Sequence, residues 1–474
     1  MKFEPVIGLE IHLQLSTKSK MFCACPCGAA APNTALCPLC AGHPGALPAI
    51  NAQAVALAVR AGLGFNARVN KKSVFARKNY FYPDLPKGYQ ISQDDEPIIS
   101  EGFIEIGSAG AGVKKIGITR AHLEEDAGKS LHAGAASLVD LNRSGVPLLE
   151  IVSEPDMRSP QEAYDYLTAL KSLMRWLDIS GCDMEKGELR VDVNLSLMPA
   201  GSVQFGTRVE IKNLNSFKAV KDALNYEIVR QAGVLEAGGV VAQQTMLWDE
   251  DTAQTRPMRG KETAQEYRYF PEPDLPPLVL EDAFIEAVRR ALPLLPAQKK
   301  SIYMGELGLS AYDATLLTAD KDTAEYFDAV VKEGAAPKAA VNWIGTDILG
   351  RLNAEGKEIG ACPLKPADLA ALLKYIESGR ISGKMAREIF AKAWAGGLSV
   401  REIVESSGES QISDAAQLEA WACEAVAENP KAAADFKNGN AKAAGALVGS
   451  VMKKSKGKAN PALLGKIIEK IIMQ

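Results

Sequence analysis

The chain has 474 residues, more than one hydrophobic core ordinarily serves, so roughly two or three domains are expected. With 47% hydrophobic and 24% charged residues the composition excludes wholesale disorder. A net charge of −4 excludes a global positive field, so any nucleic-acid binding has to come from local patches.

Near the N-terminus Glu4 stands where a secretion signal needs apolar residues. Ile7, Leu9, Ile11, Leu13 and Leu15 then alternate with Gly8, Glu10, His12 and Gln14. That alternation predicts a strand with Glu10 and His12 on one polar face, roughly 7 Å apart. Residues 21–59 hold no Asp, Glu, Lys or Arg, but scattered Cys, Pro, Asn and Gly argue against a helix crossing lipid. A cytoplasmic location without membrane contact is expected. Five of the eight cysteines fall between Cys23 and Cys40, and in a reducing cytosol such clusters more often hold metal than disulfides. Cys23-Ala-Cys25 and Cys37-Pro-Leu-Cys40 suit a closed structural zinc knuckle over 23–40. Cys27 is either a substitute ligand or a bystander, and an iron–sulfur cluster shares this kind of spacing.

Arg77 and Lys78 are followed by Tyr80, Phe81 and Tyr82, then by Lys87 and Tyr89. Cations interleaved with aromatics suit single-stranded nucleic acid, through base stacking and phosphate contacts; the competing reading puts half of these rings in the core. Further on, Gly128-Lys129-Ser130 ends like a phosphate-binding loop, but Leu123 occupies the position where the first glycine belongs. Three acidic residues ahead of it, Glu124, Glu125 and Asp126, would also repel a triphosphate. The loop is rejected on both counts. Those carboxylates suit Mg²⁺, which takes a few carboxylates, waters and substrate oxygens. Glu10, His12, Glu125 and Glu150 form the expected set, Glu124 and Glu125 being interchangeable on this evidence. An exposed acidic loop is the alternative.

Ser159-Pro160-Gln161-Glu162 predicts a helix start with N-cap, N1 proline and capping-box glutamate. Two further strands come after it. Arg190, Asp192, Asn194 and Ser196 share one face of the first; Arg208, Glu210 and Lys212 share one face of the second. Their short connection suggests an antiparallel pair. Polar sheet faces are ordinarily just solvated, yet these carry short Asp, Asn and His among Arg and Glu. The Pro-rich run 271–277 precedes Ala-rich, helix-patterned sequence, with a weaker break at 406–408. Domains are therefore expected at 1–290, 291–405 and 406–474. Residues 431–474 hold nine Lys, including Lys453, Lys454 and Lys456, dense enough for a phosphate backbone, although a solvated helix face explains them equally. Neither an amidase-type Ser–Ser–Lys set nor a Cys–His glutaminase pair stands out.

Residues 6–12, 77–84, 122–129, 140–145, 150–156 and 267–274, with the Lys-rich tail, resemble the B subunits of bacterial aspartyl/glutamyl-tRNA(Asn/Gln) amidotransferases over essentially the whole chain. The resemblance implies an α+β fold: a glutamine-synthetase-like cradle domain with a curved antiparallel sheet, then an all-α helical domain and a small α-helical tail module associated with tRNA. It implies a heterotrimer in which ATP phosphorylates the side-chain carboxylate of misacylated Glu-tRNA(Gln) or Asp-tRNA(Asn). Ammonia from a separate amidase (A) subunit then displaces the phosphate, a small C subunit holding the complex together. The matching aminoacyl-tRNA synthetase would be a further partner. Glu10, His12, Glu125 and Glu150 would hold Mg²⁺, and Arg190, Arg208 and Lys212 would meet nucleotide phosphates. Asp192 and Glu210 would bind a second metal or deprotonate ammonium. Arg77, Lys78, Tyr80, Tyr82, Lys87, Tyr89 and the tail lysines would contact tRNA, and Cys23, Cys25, Cys37 and Cys40 would hold zinc. A free-standing glutamine-synthetase-like ammonia ligase and a non-catalytic RNA-binding factor are the rival readings.

Overall fold

The alternating N-terminal run forms β1 (Phe3–Gln14), and its apolar residues Ile7, Ile11 and Leu13 are fully buried. The structure is a computed structural model and describes residues 3–107, 112–134, 136–258, 267–396, 398–407, 415–437, 443–455, 459 and 461–473. The chain forms two units, Met1–Pro296 and Ala297–Gln474.

The first unit is built on one large sheet. Besides β1 it contains β2 (Arg68–Val69), β3 (Ile99–Ile106), β4 (Lys114–Glu125), β5 (Pro147–Ser153), β6 (Leu189–Pro199), β7 (Val209–Lys212), β8 (Gln244–Asp249) and β9 (Gln254–Pro257). Their order is β9-β8-β7-β6-β1-β5-β4-β3-β2, which puts β1 at the centre. The expected antiparallel pairing of β6 with β7 is present, with Asn194 opposite Glu210. One pair departs from an all-antiparallel sheet: β7 and β8 run parallel. A parallel pair needs a crossover, supplied by the helix Phe217–Glu236 between them.

The helix predicted after Ser159 spans Pro160–Trp176, and the Ser159 side chain accepts from the Glu162 amide at 3.2 Å. The capping box differs from expectation. Glu162 Oε2 accepts from the Arg158 amide at 2.7 Å and pairs with Lys114 at 2.7 Å. The lysine on β4 offers the carboxylate a full charge, so it turns away from the N-cap amide. Ala163, Tyr166, Leu167, Leu170 and Met174 line its buried face and join the apolar side of the sheet in one core. Each larger side chain contributes about 1.5–3 kcal/mol by leaving water. The opposite side of the sheet is left polar.

The Lys129–Ser130 segment opens a hairpin, Lys129–Ala133 with Ala136–Asp140, and not the helix that a phosphate-binding loop requires. Gly128 has a packing reason: a Cβ there would meet the carbonyl oxygens of Asp140 and Asp84 at 2.9 and 3.0 Å.

The described parts of the second unit are helical and hold two apolar clusters, one over residues 303–404 and one over 418–472. Among the described residues no helix is long and apolar enough to cross a membrane.

Candidate active site

Strand register decides which polar side chains meet. His12 on β1 lies opposite Arg190 on β6 and Glu150 on β5, and Glu150 lies opposite His122 on β4. Glu10 lies opposite Asp192. Glu124, two residues beyond His122, falls on the same face because side chains alternate along a strand. His12 Nε2 is 3.5 Å from Glu124 and 3.4 Å from Glu150, and His122 Nε2 is 3.3 Å from Glu150. Ligand atoms of His12, Glu124 and Glu150 all lie within 4.8 Å of one another.

The electrostatics of this cluster follow from burial and like charge. Burial, reinforced by the adjacent Glu150 carboxylate, pushes Glu10 up to about 7. Burial also raises Glu124, with Glu150 adding to the effect. Burial would raise Glu150 too, but the His122 and His12 imidazoles outweigh it and hold it well below the usual carboxylate range. For His12, burial opposes the charge, while the hydrogen bond with Glu150 and the charge of Glu124 lift it to about 9. Burial, like charge and hydrogen bonding thus perturb these groups together, as in ionisable clusters at functional sites.

Glu125 is turned elsewhere. It forms a buried ion pair with Lys87 and accepts from the Ile91 amide at 3.0 Å. Asp126, buried, accepts from Arg190 at 2.6 Å and from Gln14 at 3.0 Å. Arg190 Nε is buried and has no hydrogen-bond partner among the described residues. Lys212 bridges Asp192 at 3.0 Å and Glu210 at 3.2 Å. Arg208 precedes β7 and is exposed.

The basic-aromatic segment divides. Arg77 makes a bidentate pair with buried Glu272, both contacts 2.8 Å, and lies 4.1 Å over the Tyr89 ring. Lys78 stands 4.9 Å over Tyr267; burial opposes its charge, but Glu124, Tyr269 and Glu150 raise its pKa. Tyr80 meets Tyr82 and Tyr267 edge-on at 6.2 and 6.0 Å. Phe81 and Tyr82 are exposed. In the tail, Lys453 is exposed, Lys454 pairs with Glu424 and Glu428, and Lys456 lies outside the described residues.

The knuckle closes on itself. The Sγ atoms of Cys23, Cys25, Cys37 and Cys40 all lie within 4.8 Å of one another. Cys27 is outside this group, 3.8 Å from the Thr17 hydroxyl. The hydrogen bond from Cys23 is the chief influence bringing the Cys40 thiol down to about 4. Four sulfurs at tetrahedral reach fit a structural metal ion.

Sequence reading did not single out His122, Lys20 or the Tyr267–Tyr269 pair. For His122 a signal existed: His122 and Glu124 are two apart in a strand, as Glu10 and His12 are.

A mixed α/β unit with a buried cluster of histidine and carboxylate side chains on the polar face of a sheet, within reach of a common metal ion, has the make-up of an enzyme scaffold. Residues 5–286 match the GatB/GatE catalytic domain family and residues 325–472 the GatB domain family, and the chain belongs to this family. Among its relatives, a protein of Elusimicrobium minutum is 54% identical over 474 residues, covering 99% of each chain. One from Thermoanaerobacter pseudethanolicus is 50% identical over 471 residues and one from Geobacter sulfurreducens 50% over 476, again with 99% of each chain covered. All three are named as the B subunit of an aspartyl/glutamyl-tRNA(Asn/Gln) amidotransferase.

Proposed function

We propose that this chain is the ATP-dependent subunit of a tRNA-dependent amidotransferase, and that its reaction takes place on the polar face of the large sheet. The observation that carries this reading is the convergence of His12, Glu124 and Glu150 on that face, in a chain about half identical to relatives bearing the subunit's name. On this reading residues 1–290 are the cradle domain, 291–405 the helical domain and 406–474 the tail that meets tRNA.

A carboxylate is a poor electrophile. Phosphorylation converts the side-chain carboxylate of misacylated Glu-tRNA(Gln) or Asp-tRNA(Asn) into an acyl phosphate, from which ammonia can displace phosphate. Glu124 and Glu150, with His12 and with Glu10 beside them, are the residues that would hold Mg²⁺; carboxylate oxygens fit that hard cation better than the imidazole does. When bound, Mg²⁺ would neutralise charge on the transferring phosphoryl group. Arg190, with an unsatisfied Nε beside its ion pair with Asp126, is the guanidinium suited to phosphate oxygens. Asp192 and Glu210, held by Lys212, either take up a second cation or accept a proton from ammonium. Zinc would be structural, on Cys23, Cys25, Cys37 and Cys40.

The absence of a recognisable amidase or glutaminase set in the sequence accords with ammonia arriving from a partner amidase subunit, with a small third subunit completing the complex. The test is to purify the chain with its partner subunits and assay conversion of Glu-tRNA(Gln) and Asp-tRNA(Asn), with ATP and with or without glutamine. Amidation of either tRNA, abolished when Glu150 is changed to Gln, is expected. Unchanged amidation by Glu150→Gln would place the chemistry elsewhere.

A further inference from the structure

Lys20 is fully buried. Its Nζ has two acceptors, Cys40 Sγ at 3.4 Å and the Leu141 carbonyl at 3.4 Å. Among the described residues no carboxylate comes within ion-pair distance of it. An ammonium removed from water is tolerated only beside compensating negative charge. Of its two acceptors only the Cys40 sulfur can carry such charge. A neutral thiol would leave the cation only the more distant charge of Asp140, whereas a metal-bound thiolate places negative charge in direct contact with it. The need is reciprocal: four thiolates around a divalent cation carry two surplus negative charges, and a nearby cation lowers the cost of gathering them.

The same residue stands at a junction. Next to it the Met21 amide donates to the Gly145 carbonyl at 2.7 Å, and the Ser144 hydroxyl donates to the Cys40 carbonyl at 3.3 Å. The Gly145 amide in turn donates to the Asp126 carbonyl at 2.9 Å. Gly145 sits at φ +86, and a Cβ placed on it would lie 3.5 Å from Lys20 Cδ and 3.9 Å from Glu125 Oε2. The knuckle, Lys20, the 141–145 loop and the Glu125–Asp126 strand end thus form one contiguous chain of contacts.

We propose that Lys20 is the built-in countercharge of the four-cysteine metal site and the positioning residue through which occupancy of that site orders the 141–145 loop behind Asp126. This rests on reading Cys23, Cys25, Cys37 and Cys40 as ligands of zinc. Neighbours that tune a bound ion through its ligands typically alter affinity 10- to 100-fold.

The experiment measures zinc affinity by competition with a chromophoric chelator for the full chain and for Lys20→Met, which keeps the volume and removes the charge. Alongside it, amide hydrogen exchange at Met21, Gly145 and Asp126 is followed in the zinc-loaded and zinc-stripped wild-type chain. Expected are an affinity loss of about tenfold or more for Lys20→Met and about tenfold or more faster exchange at those amides on stripping. If wild type holds zinc and Lys20→Met loses less than tenfold, the countercharge role is wrong. If stripping leaves Gly145 exchange unchanged, the link to the loop is wrong; this wild-type measurement decides the matter should Lys20→Met fail to fold. A wild-type chain that takes up no zinc overturns the metal site itself and this inference with it.

Discussion

Glu124 and Glu125 are neighbours in the chain, yet their carboxylates serve different partners: Glu124 faces His12 at 3.5 Å, while Glu125 pairs with Lys87 and takes the Ile91 amide. Strand alternation sends one to the polar face and the other away from it. Glu124→Gln is therefore expected to reduce acyl-phosphate formation by about a hundredfold or more, as loss of a group stabilising transferring charge does. Its affinity for tRNA should be near normal. Glu125→Gln should instead leave Lys87 buried and unpaired, with a stability loss of about 3 kcal/mol. Rapid-quench phosphorylation and thermal melting of the two variants separate these outcomes. Full-rate phosphorylation by Glu124→Gln would remove Glu124 from the reaction.

Glu10 gives a pH signature. Its carboxyl is raised from 4.5 to about 7 by burial and by Glu150. A raised pKa means that the folded state holds the proton more tightly, so this contribution to stability is full below pH 4.5 and is lost as pH rises through about 7. Glu10→Gln cannot ionise and escapes that loss. The stability difference in favour of Glu10→Gln should grow between pH 4.5 and 7 to the order of 2–3 kcal/mol in metal-free protein. Added Mg²⁺ should shrink it, because a bound cation favours the ionised carboxylate. Melting curves at several pH values, with and without Mg²⁺, measure both effects; a pH-independent difference would contradict the assignment.

How much of this was legible beforehand depended on range. The alternation in β1 exposed Glu10 and His12 as a same-face pair, and the Ser159 cap exposed the start of the helix, because both are patterns within a few residues. Register is a relation between distant segments. That His122 lies opposite Glu150 follows from β4 pairing with β5, which no local pattern encodes, and so Glu124 and Glu125 could not be told apart. Nothing local to Lys20 marks it as buried, because the knuckle and the 141–145 loop that enclose it are distant in sequence. The parallel β7–β8 pair was hidden for the same reason: it depends on the path of an intervening helix.

The geometry of the cysteine cluster sets Cys27 apart from the other four thiols. Cys27 Sγ lies by the Thr17 hydroxyl, outside the four-sulfur group that contains Cys37 and Cys40. Cys27→Ser should retain stoichiometric zinc, whereas Cys37→Ser should lose most of it, since a structural site with three ligands is left open. Metal content by atomic emission after gel filtration provides the count. Equal zinc loss in both variants would return Cys27 to the ligand set.

Arg77 and Lys453 test which cations meet RNA. Arg77 is committed to Glu272, whose side chain is fully buried, through two 2.8 Å contacts. Arg77→Met leaves that carboxylate buried and uncompensated, so a stability loss of about 3 kcal/mol is expected, with tRNA affinity in folded protein little changed. Lys453 is exposed on the tail, next to a Lys454 already held by Glu424 and Glu428. Lys453→Ala should weaken tRNA binding and reduce the slope of log affinity against log salt by about one, the signature of one lost phosphate contact. Titrations of labelled tRNA at several salt concentrations read that slope directly. A slope unchanged in Lys453→Ala but lowered in Arg77→Met would move the phosphate contact from the tail to the aromatic segment.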